Sequence, residues 1–282
     1  MSTPQLLALG ALAGFTIFLG LPIGRIRTTD TRLKAALSAA ATGILLFLLI
    51  EVTVHGVEPV EDALKGAVDE GKSWADFAGL AALFVTGASA GLMSLVYYDG
   101  WLKTKRSTPL VGPGAAAVEE FRSRSWIETL TPGHRLALLI ATGIGLHNFG
   151  EGLAIGQSAA AGELSLALVL IIGFALHNAT EGFGIVGPMS TEVERPSWAF
   201  LGLMGLIGGG PTFLGTVVGQ AWVSPALAVV FLALAGGSIL YVVIQLLEVC
   251  RRAALPKLIG WMLLLGLFLG FATDWVLVAA GA

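Results

Sequence analysis

The chain contains eight apolar stretches, each long enough to cross a lipid bilayer as an α-helix. A spanning helix needs about 20 predominantly apolar residues. Only 12% of the residues are charged, against roughly 25% in a soluble globular domain. We therefore predict an all-α polytopic membrane protein with eight transmembrane helices in a single transmembrane domain, residues 1–282. The predicted spans are residues 5–24, 33–55, 77–100, 133–157, 163–188, 197–220, 224–248 and 257–280.

The distribution of positive charge predicts the orientation of these spans. Of the 16 Lys and Arg residues, only Lys65 and Lys72 fall on the side of the even-numbered loops. Because cytoplasmic loops are enriched in Lys and Arg, both termini are predicted to lie outside. The loop over residues 101–132 is rich in Gly, Pro, Ser and basic residues, so it is predicted to be a flexible cytoplasmic loop. We expect a multi-pass protein of the plasma membrane, or of the inner membrane in a Gram-negative cell.

The remaining composition limits the partners. Arg25 and Arg27 follow the first apolar stretch instead of preceding it, so this stretch is predicted to be a span and not a cleaved signal. The net charge of −3 gives no indication of nucleic-acid binding. Cys250 is the only cysteine, which excludes an intramolecular disulfide and a Cys-x-x-Cys metal site. The lipid bilayer is the expected partner, and a homodimer is compatible with the sequence.

One polar motif, His-Asn-x-x-Glu-Gly, occurs in both the fourth and the fifth span. Residues four apart share one face of a helix, so each copy places an imidazole beside a carboxylate. Ionisable groups at membrane depth are costly and indicate function, because Ser or Asn could make a structural contact at lower desolvation cost. Two His and two carboxylates predict a divalent-metal site that suits Zn²⁺. The polar residues of the two copies are His147, Asn148, Glu151, His177, Asn178 and Glu181.

Other polar residues in the spans have more than one interpretation. Asn148 and Asn178 could ligate metal weakly through their carbonyls, as secondary ligands, or could support the ligands by hydrogen bonding. Glu51 and His55 are also four apart and are predicted to lie toward the outer end of the second span. They are either interfacial residues near water or an auxiliary metal site on the entrance path. Asp274 lies near a span end, where solvation accounts for it.

The repeated motif on adjacent spans, within eight spans whose ends both lie outside, resembles the ZIP family of divalent-metal transporters. Weaker similarities lie in Gly209-Gly210-Pro211 and in residues 235–243. The resemblance implies transport toward the cytoplasm, with Zn²⁺ or another divalent metal as substrate and no catalytic cofactor. It also implies an elevator-like movement of spans 1, 4, 5 and 6 against spans 2, 3, 7 and 8. The implied primary ligands are His147, Glu151, His177 and Glu181, with Asn148 and Asn178 where some members bind a second metal.

Several residues depart from the family pattern. Gly150 and Thr180 occupy the position of the motif proline, so the usual kink is expected to be weaker or made differently. Gly210 stands where members with a bridged two-metal site carry Glu, which favours one primary metal. Glu51 and His55 stand where many members have small or apolar residues, which indicates a divergent branch.

Two other functions fit parts of the pattern. An intramembrane zinc-dependent hydrolase could use the same ligands around a metal-bound water, but the chain lacks an HExxH signature. The two near-identical ligand pairs also leave no obvious separate general base, although Glu51 could be offered for that role. A proton- or substrate-coupled transporter could use the carboxylates without metal, although two histidines make this less attractive. We therefore expect a transporter and not an enzyme, and the sequence does not rank Zn²⁺ against Fe²⁺, Mn²⁺, Co²⁺, Ni²⁺ or Cd²⁺.

Overall fold

The computed structural model describes residues 3–26, 30–106, 130–162, 164–192, 195–221 and 224–280. These residues are helical with short connections and contain no strand, which confirms the predicted all-α class. The helices are α1 (Thr3–Phe15), α2 (Ile17–Gly20), α3 (Thr31–Asp69), α4 (Trp74–Arg106), α5 (Pro132–Ala160), α6 (Leu164–Val186), α7 (Trp198–Ala221), α8 (Pro225–Arg252) and α9 (Pro256–Ala280). Two 3-10 turns, Leu21–Arg25 and Gly187–Thr191, follow α2 and α6.

Within the described ranges, eight helical segments are long and apolar enough to cross a membrane, as the sequence predicted. The first consists of α1, α2 and the 3-10 turn that follows them, and the others are α3 to α9. The fourth and fifth predicted spans therefore correspond to α5 and α6, which carry the repeated motif. The location of both termini outside stays a prediction.

Helix α3 is much longer than the predicted span 33–55. Its 39 residues correspond to roughly 58 Å of helix, against about 30 Å for the hydrocarbon core. It continues through Pro59, whose missing N–H leaves one carbonyl of the preceding turn without its usual donor. Gly71, with a φ of 70°, reverses the chain after the helix.

The predicted loop 101–132 begins inside a helix, because α4 continues to Arg106. Residues 107–129 lie outside the described residues, and so do the basic residues Arg122 and Arg124 of the orientation argument. The chain is described again from Leu130 onward. The expected flexibility of this loop therefore stays a prediction.

Side-chain caps define where two of the long helices begin. The side chain of Thr131 accepts a hydrogen bond from the His134 backbone N–H at the start of α5. Ser224 does the same for α8. A proline follows each cap at the first helical position, where its missing N–H costs nothing. Local sequence thus sets the start of the helix that carries His147.

The helices pack as two bundles. In the first bundle α5 lies along α7, α1 packs on α6 and α7, and α2 packs on α6. In the second bundle α3 packs against α8 and α9, and α4 packs against α8. The bundles meet mainly where α8 contacts α5 and where α3 and α9 contact α6. The movement of spans 1, 4, 5 and 6 against spans 2, 3, 7 and 8 that the family resemblance implied stays a prediction.

Glycines allow the backbones within each bundle to touch. A Cβ added at Gly152 of α5 would collide with the carbonyl oxygen of Thr212, and one at Gly215 of α7 would collide with that of Phe149. In the second bundle, Gly43 of α3 packs in the same way against the Leu263 carbonyl of α9. Such close approach is typical of small residues at membrane helix interfaces. Each bundle is therefore tightly joined internally.

Candidate metal centre

The repeated motif places two buried His–Glu pairs in the interior. His147 and Glu151 lie on α5, and their Nε2 and Oε1 atoms are 3.4 Å apart. His177 and Glu181 lie on α6, with a corresponding separation of 3.3 Å. The centroids of the two imidazole rings are 6.0 Å apart. The four predicted primary ligands are thus brought together from two adjacent helices, and all of them are buried.

Glu51 of α3 joins this cluster. Its Oε2 lies 3.5 Å from the Nε2 of His177, and its side chain is 9% exposed. Glu51, His147 and His177 each offer a ligand atom, and these atoms lie within 4.8 Å of one another. The sequence placed Glu51 with His55 in a separate outer position, whereas the structure places it against the histidines of the motif. The difference arises because α3 packs against α6, a long-range contact that helical spacing does not reveal.

His55 is separated from this cluster. It is exposed, and its Nδ1 lies 3.1 Å from the backbone carbonyl oxygen of Glu51. The two residues of the suggested auxiliary pair therefore differ in environment, although they are four apart on one helix. The structure brings Glu51, but not His55, into the group with His147 and His177.

Several polar atoms of the cluster are buried without a hydrogen-bond partner among the described residues. They include both ring nitrogens of His147, Nε2 of His177, both carboxylate oxygens of Glu151 and one oxygen each of Glu51 and Glu181. Burying such atoms unpaired is costly, by about 1–3 kcal/mol for each neutral group and more for a charged one. A cation between them would satisfy several at once, so the donor set fits a metal ion.

Neighbours from α3 and α9 orient His177. The Thr273 hydroxyl donates to the Gly270 carbonyl at 2.7 Å, and its oxygen lies 3.5 Å from Nδ1 of His177. Because this hydroxyl proton is already engaged, the oxygen is suited to accept from Nδ1–H. That tautomer leaves the Nε2 lone pair free to bind metal. The ring of Phe47 packs against the imidazole at a centroid distance of 5.5 Å.

The two asparagines of the motif are fully buried and act as donors. Asn148 Nδ2 donates to Glu181 Oε2 at 3.1 Å and to the Gly208 carbonyl at 3.0 Å. Asn178 Nδ2 donates to the Ala13 carbonyl at 3.1 Å. Each asparagine therefore connects a ligand helix to another helix of the same bundle.

A cavity of about 410 Å³ adjoins the cluster and extends toward the C-terminal ends of α5 and α9. Sequence reasoning explained Asp274 by solvation at a span end, but the structure places it in the wall of this cavity. The spacing of polar residues along the apolar helix α9 offers no signal for this role. The polar residues that line the cavity are Glu51, His55, His147, Glu151, Gln157 and Asp274.

A model of the ZIP zinc transporter family matches residues 119–276, more than half of the chain. The chain belongs to the ZIP family. The match confirms the resemblance carried by the repeated motif, and it covers α5 to α8 and most of α9. A comparison with curated proteins gives no match.

Membership in the ZIP family assigns divalent-metal transport to this protein, and the buried Glu–His cluster is compatible with that function. Members of the family are transporters and not enzymes, which agrees with the expectation from the sequence and weighs against the hydrolase alternative. A divalent metal as the transported substrate, without a catalytic cofactor, fits this family. This ZIP protein is a multi-pass membrane protein.

Proposed function

We propose that this ZIP protein carries a divalent cation, with Zn²⁺ foremost, toward the cytoplasm through a site on α5 and α6 that Glu51 of α3 completes. The observation that carries the proposal is the convergence of buried imidazole and carboxylate atoms that lack a hydrogen-bond partner among the described residues. A single primary ion is favoured, because Gly210 brings no carboxylate for a bridged second site. The proposed ligands are His147, Glu151, His177, Glu181 and Glu51.

The distances within the cluster support a zinc-sized ion. Two ligand atoms about 2.0–2.1 Å from one Zn²⁺ ion are roughly 3.3–3.4 Å apart when the geometry is tetrahedral. The three His–Glu separations are 3.3, 3.4 and 3.5 Å. Each His–Glu pair is therefore spaced to bind one ion together. The ligand atoms of Glu51, His147 and His177, all within 4.8 Å of one another, bring the pairs near a common centre.

The packing of the two bundles supports an elevator-type movement. Within each bundle, backbones touch at glycines such as Gly215 and Gly43. Across the boundary, a Cβ at Gly143 of α5 would meet the Ile239 side chain of α8 at an ordinary 3.4 Å. Side chains separate the bundles there, and such an interface can repack more readily than one between touching backbones. The first bundle, with α5 and α6, would move along α3, α8 and α9.

The cavity supports inward transport from the predicted outer side. It extends from the cluster toward the ends of α5 and α9 that the charge distribution places outside. Glu51 and Asp274 contribute carboxylates to its wall, and the exposed part of α3 adds Glu58 and Glu61. Negative charge at a mouth raises the local cation concentration. A cation would enter the site here and leave after the bundle has moved.

The test of this function is uptake of radioactive Zn²⁺ into proteoliposomes that contain the purified full-length protein. We expect saturable uptake down a Zn²⁺ gradient and almost none after Glu181→Ala, because this change removes a buried ligand. Accumulation in the cytosol of intact cells would establish the direction. Absence of uptake by the wild type at every gradient would contradict the proposal, and cleavage of lipid or peptide would then favour the hydrolase.

A second measurement tests the contribution of Glu51. We expect Glu51→Gln to raise the KM for Zn²⁺ uptake by at least the roughly 10- to 100-fold that is typical when a group supporting a ligand is lost, because this change removes a proposed charged ligand. The matched control is Glu58→Gln, which removes an exposed carboxylate two turns further along α3. Equal KM values for the two variants would show that Glu51 acts only through general surface charge.

A further inference from the structure

The repeated motif contains two asparagines whose amide groups have an unusual set of partners. The Nδ2 atom of Asn148 has two acceptors, Glu181 Oε2 and the Gly208 carbonyl. The Nδ2 atom of Asn178 has one, the Ala13 carbonyl. The Oδ1 atoms of both asparagines are buried and have no hydrogen-bond partner among the described residues.

These partners determine which way the Asn148 amide points. If the Asn148 amide were rotated by about 180°, its Oδ1 atom would face Glu181 Oε2 and the Gly208 carbonyl oxygen. Repulsion between oxygens would then replace the two hydrogen bonds. The amide nitrogen therefore faces Glu181. The carbonyl oxygen, which is the atom that could ligate a cation, does not lie at this contact.

Helix geometry explains why the residue after each histidine has a different role from the histidine itself. Adjacent residues on a helix are rotated by about 100°, whereas residues four apart nearly superpose. His and Glu of one copy therefore face the cluster together, and Asn faces a neighbouring helix of its own bundle. Asn148 of α5 reaches α7 at Gly208, and Asn178 of α6 reaches α1 at Ala13.

Only Asn148 also contacts a proposed ligand. Its hydrogen bond holds Oε2 of Glu181, while Oε1 of the same carboxylate lies 3.3 Å from Nε2 of His177. One carboxylate oxygen is thus engaged by α5 and the other remains directed at the cluster. The hydrogen bond connects the two ligand helices across the site.

We propose that Asn148 is a positioning residue for Glu181 and not a metal ligand. It fixes the carboxylate orientation in which Oε1 meets the ion, and it joins α5, α6 and α7 at the level of the site. This inference rests on the proposed function, because it requires Glu181 to bind the transported cation. It assigns different roles to the two asparagines, although they occupy the same position in the two copies of the motif.

The test measures Zn²⁺ binding to the purified full-length protein by titration calorimetry. Asn178→Ala is the matched control for Asn148→Ala, because both changes remove a buried amide that donates to a backbone carbonyl, and only Asn148 donates to Glu181. We expect Asn148→Ala to weaken Zn²⁺ binding by about 10- to 100-fold and Asn178→Ala to weaken it much less. Equal losses in the two variants would overturn the proposal.

A second variant and a second readout separate positioning from ligation. Asn148→Asp keeps the side-chain volume but replaces the N–H donor by a carboxylate, so we expect a loss at least as large as in Asn148→Ala. Binding by the Asp variant as tight as that of the wild type would identify residue 148 as a ligand. X-ray absorption of bound Zn²⁺ should give the same number of nitrogen and oxygen ligands in Asn148→Ala as in the wild type, and one ligand fewer would overturn the proposal.

Folding and the proposed function are checked separately. Thermal unfolding without metal should show a decrease in Tm for both variants, larger for Asn148→Ala because it loses two hydrogen bonds, one of them to a carboxylate. A cooperative transition in both variants would show that each still folds. A wild type that binds no Zn²⁺ would contradict the proposed function. A wild type that binds Zn²⁺, together with an Asn148→Asp variant that binds it equally well, would contradict only the positioning role.

Discussion

Replacement of His177 by alanine is expected to abolish Zn²⁺ uptake. His177 is the central residue of the cluster, since its Nε2 lies 3.3 Å from Glu181 and 3.5 Å from Glu51. Its loss removes one proposed ligand and leaves two buried carboxylates without their nearest imidazole. Truncation of one partner in a buried charged group is strongly destabilising, by about 3–5 kcal/mol. Proteoliposome uptake should fall to the background of empty vesicles, well over a hundredfold below the wild type.

The control for this prediction is His55→Ala, which removes an exposed histidine in the wall of the cavity. His55 is exposed and makes its polar contact with its own helix backbone, so we expect a reduction of no more than a few fold. If His55→Ala abolished uptake while His177→Ala retained it, the primary site would have to be reassigned to the auxiliary pair with Glu51.

Replacement of Gly215 by valine is expected to disrupt the first bundle. The side chain would enter the space of the Phe149 backbone carbonyl, which cannot turn away as a flexible side chain could. Overpacking typically costs 1–3 kcal/mol, and a rigid backbone contact belongs at the upper end. A loss of about 3 kcal/mol corresponds to roughly 6–12 °C in Tm for a chain of this size. Thermal unfolding of the detergent-solubilised protein measures the shift.

Gly202→Val provides the comparison on the same helix. A Cβ at Gly202 would meet no atom within 4 Å, so this change is expected to leave Tm within a few degrees of the wild type. A similar decrease in both variants would mean that valine disfavours α7 locally, independent of the contact with α5. Reduced Zn²⁺ uptake should accompany only Gly215→Val, since α7 supports the helix that carries His147.

The sequence predicted the features that depend on local periodicity. Apolar length predicted eight spanning helices, and the spacing of four predicted that His147 lies beside Glu151 and His177 beside Glu181. These features follow from the rise and turn of one helix. The division of the spans into a moving and a fixed group came only from the family resemblance and stays a prediction.

The features that the sequence could not predict depend on contacts between distant helices. The four-residue spacing suggested that Glu51 pairs with His55. That spacing does not reveal which neighbouring helix the Glu51 side chain contacts. The support of His177 by Thr273 required knowledge that α9 passes α6. The helical continuation of α3 beyond Pro59 went against the usual effect of proline.

The position of Glu51 on the second bundle bears on how the cation is captured and released. In the proposed movement, His147, Glu151, His177 and Glu181 travel with the ion, and Glu51 stays behind. The coordination number then falls by one as the carrier changes state. When a cation binds one conformation more tightly than another, it shifts the equilibrium toward that conformation by the ratio of the two affinities. Glu51 would therefore favour occupancy on the outer side and shorten the residence time of the ion on the inner side.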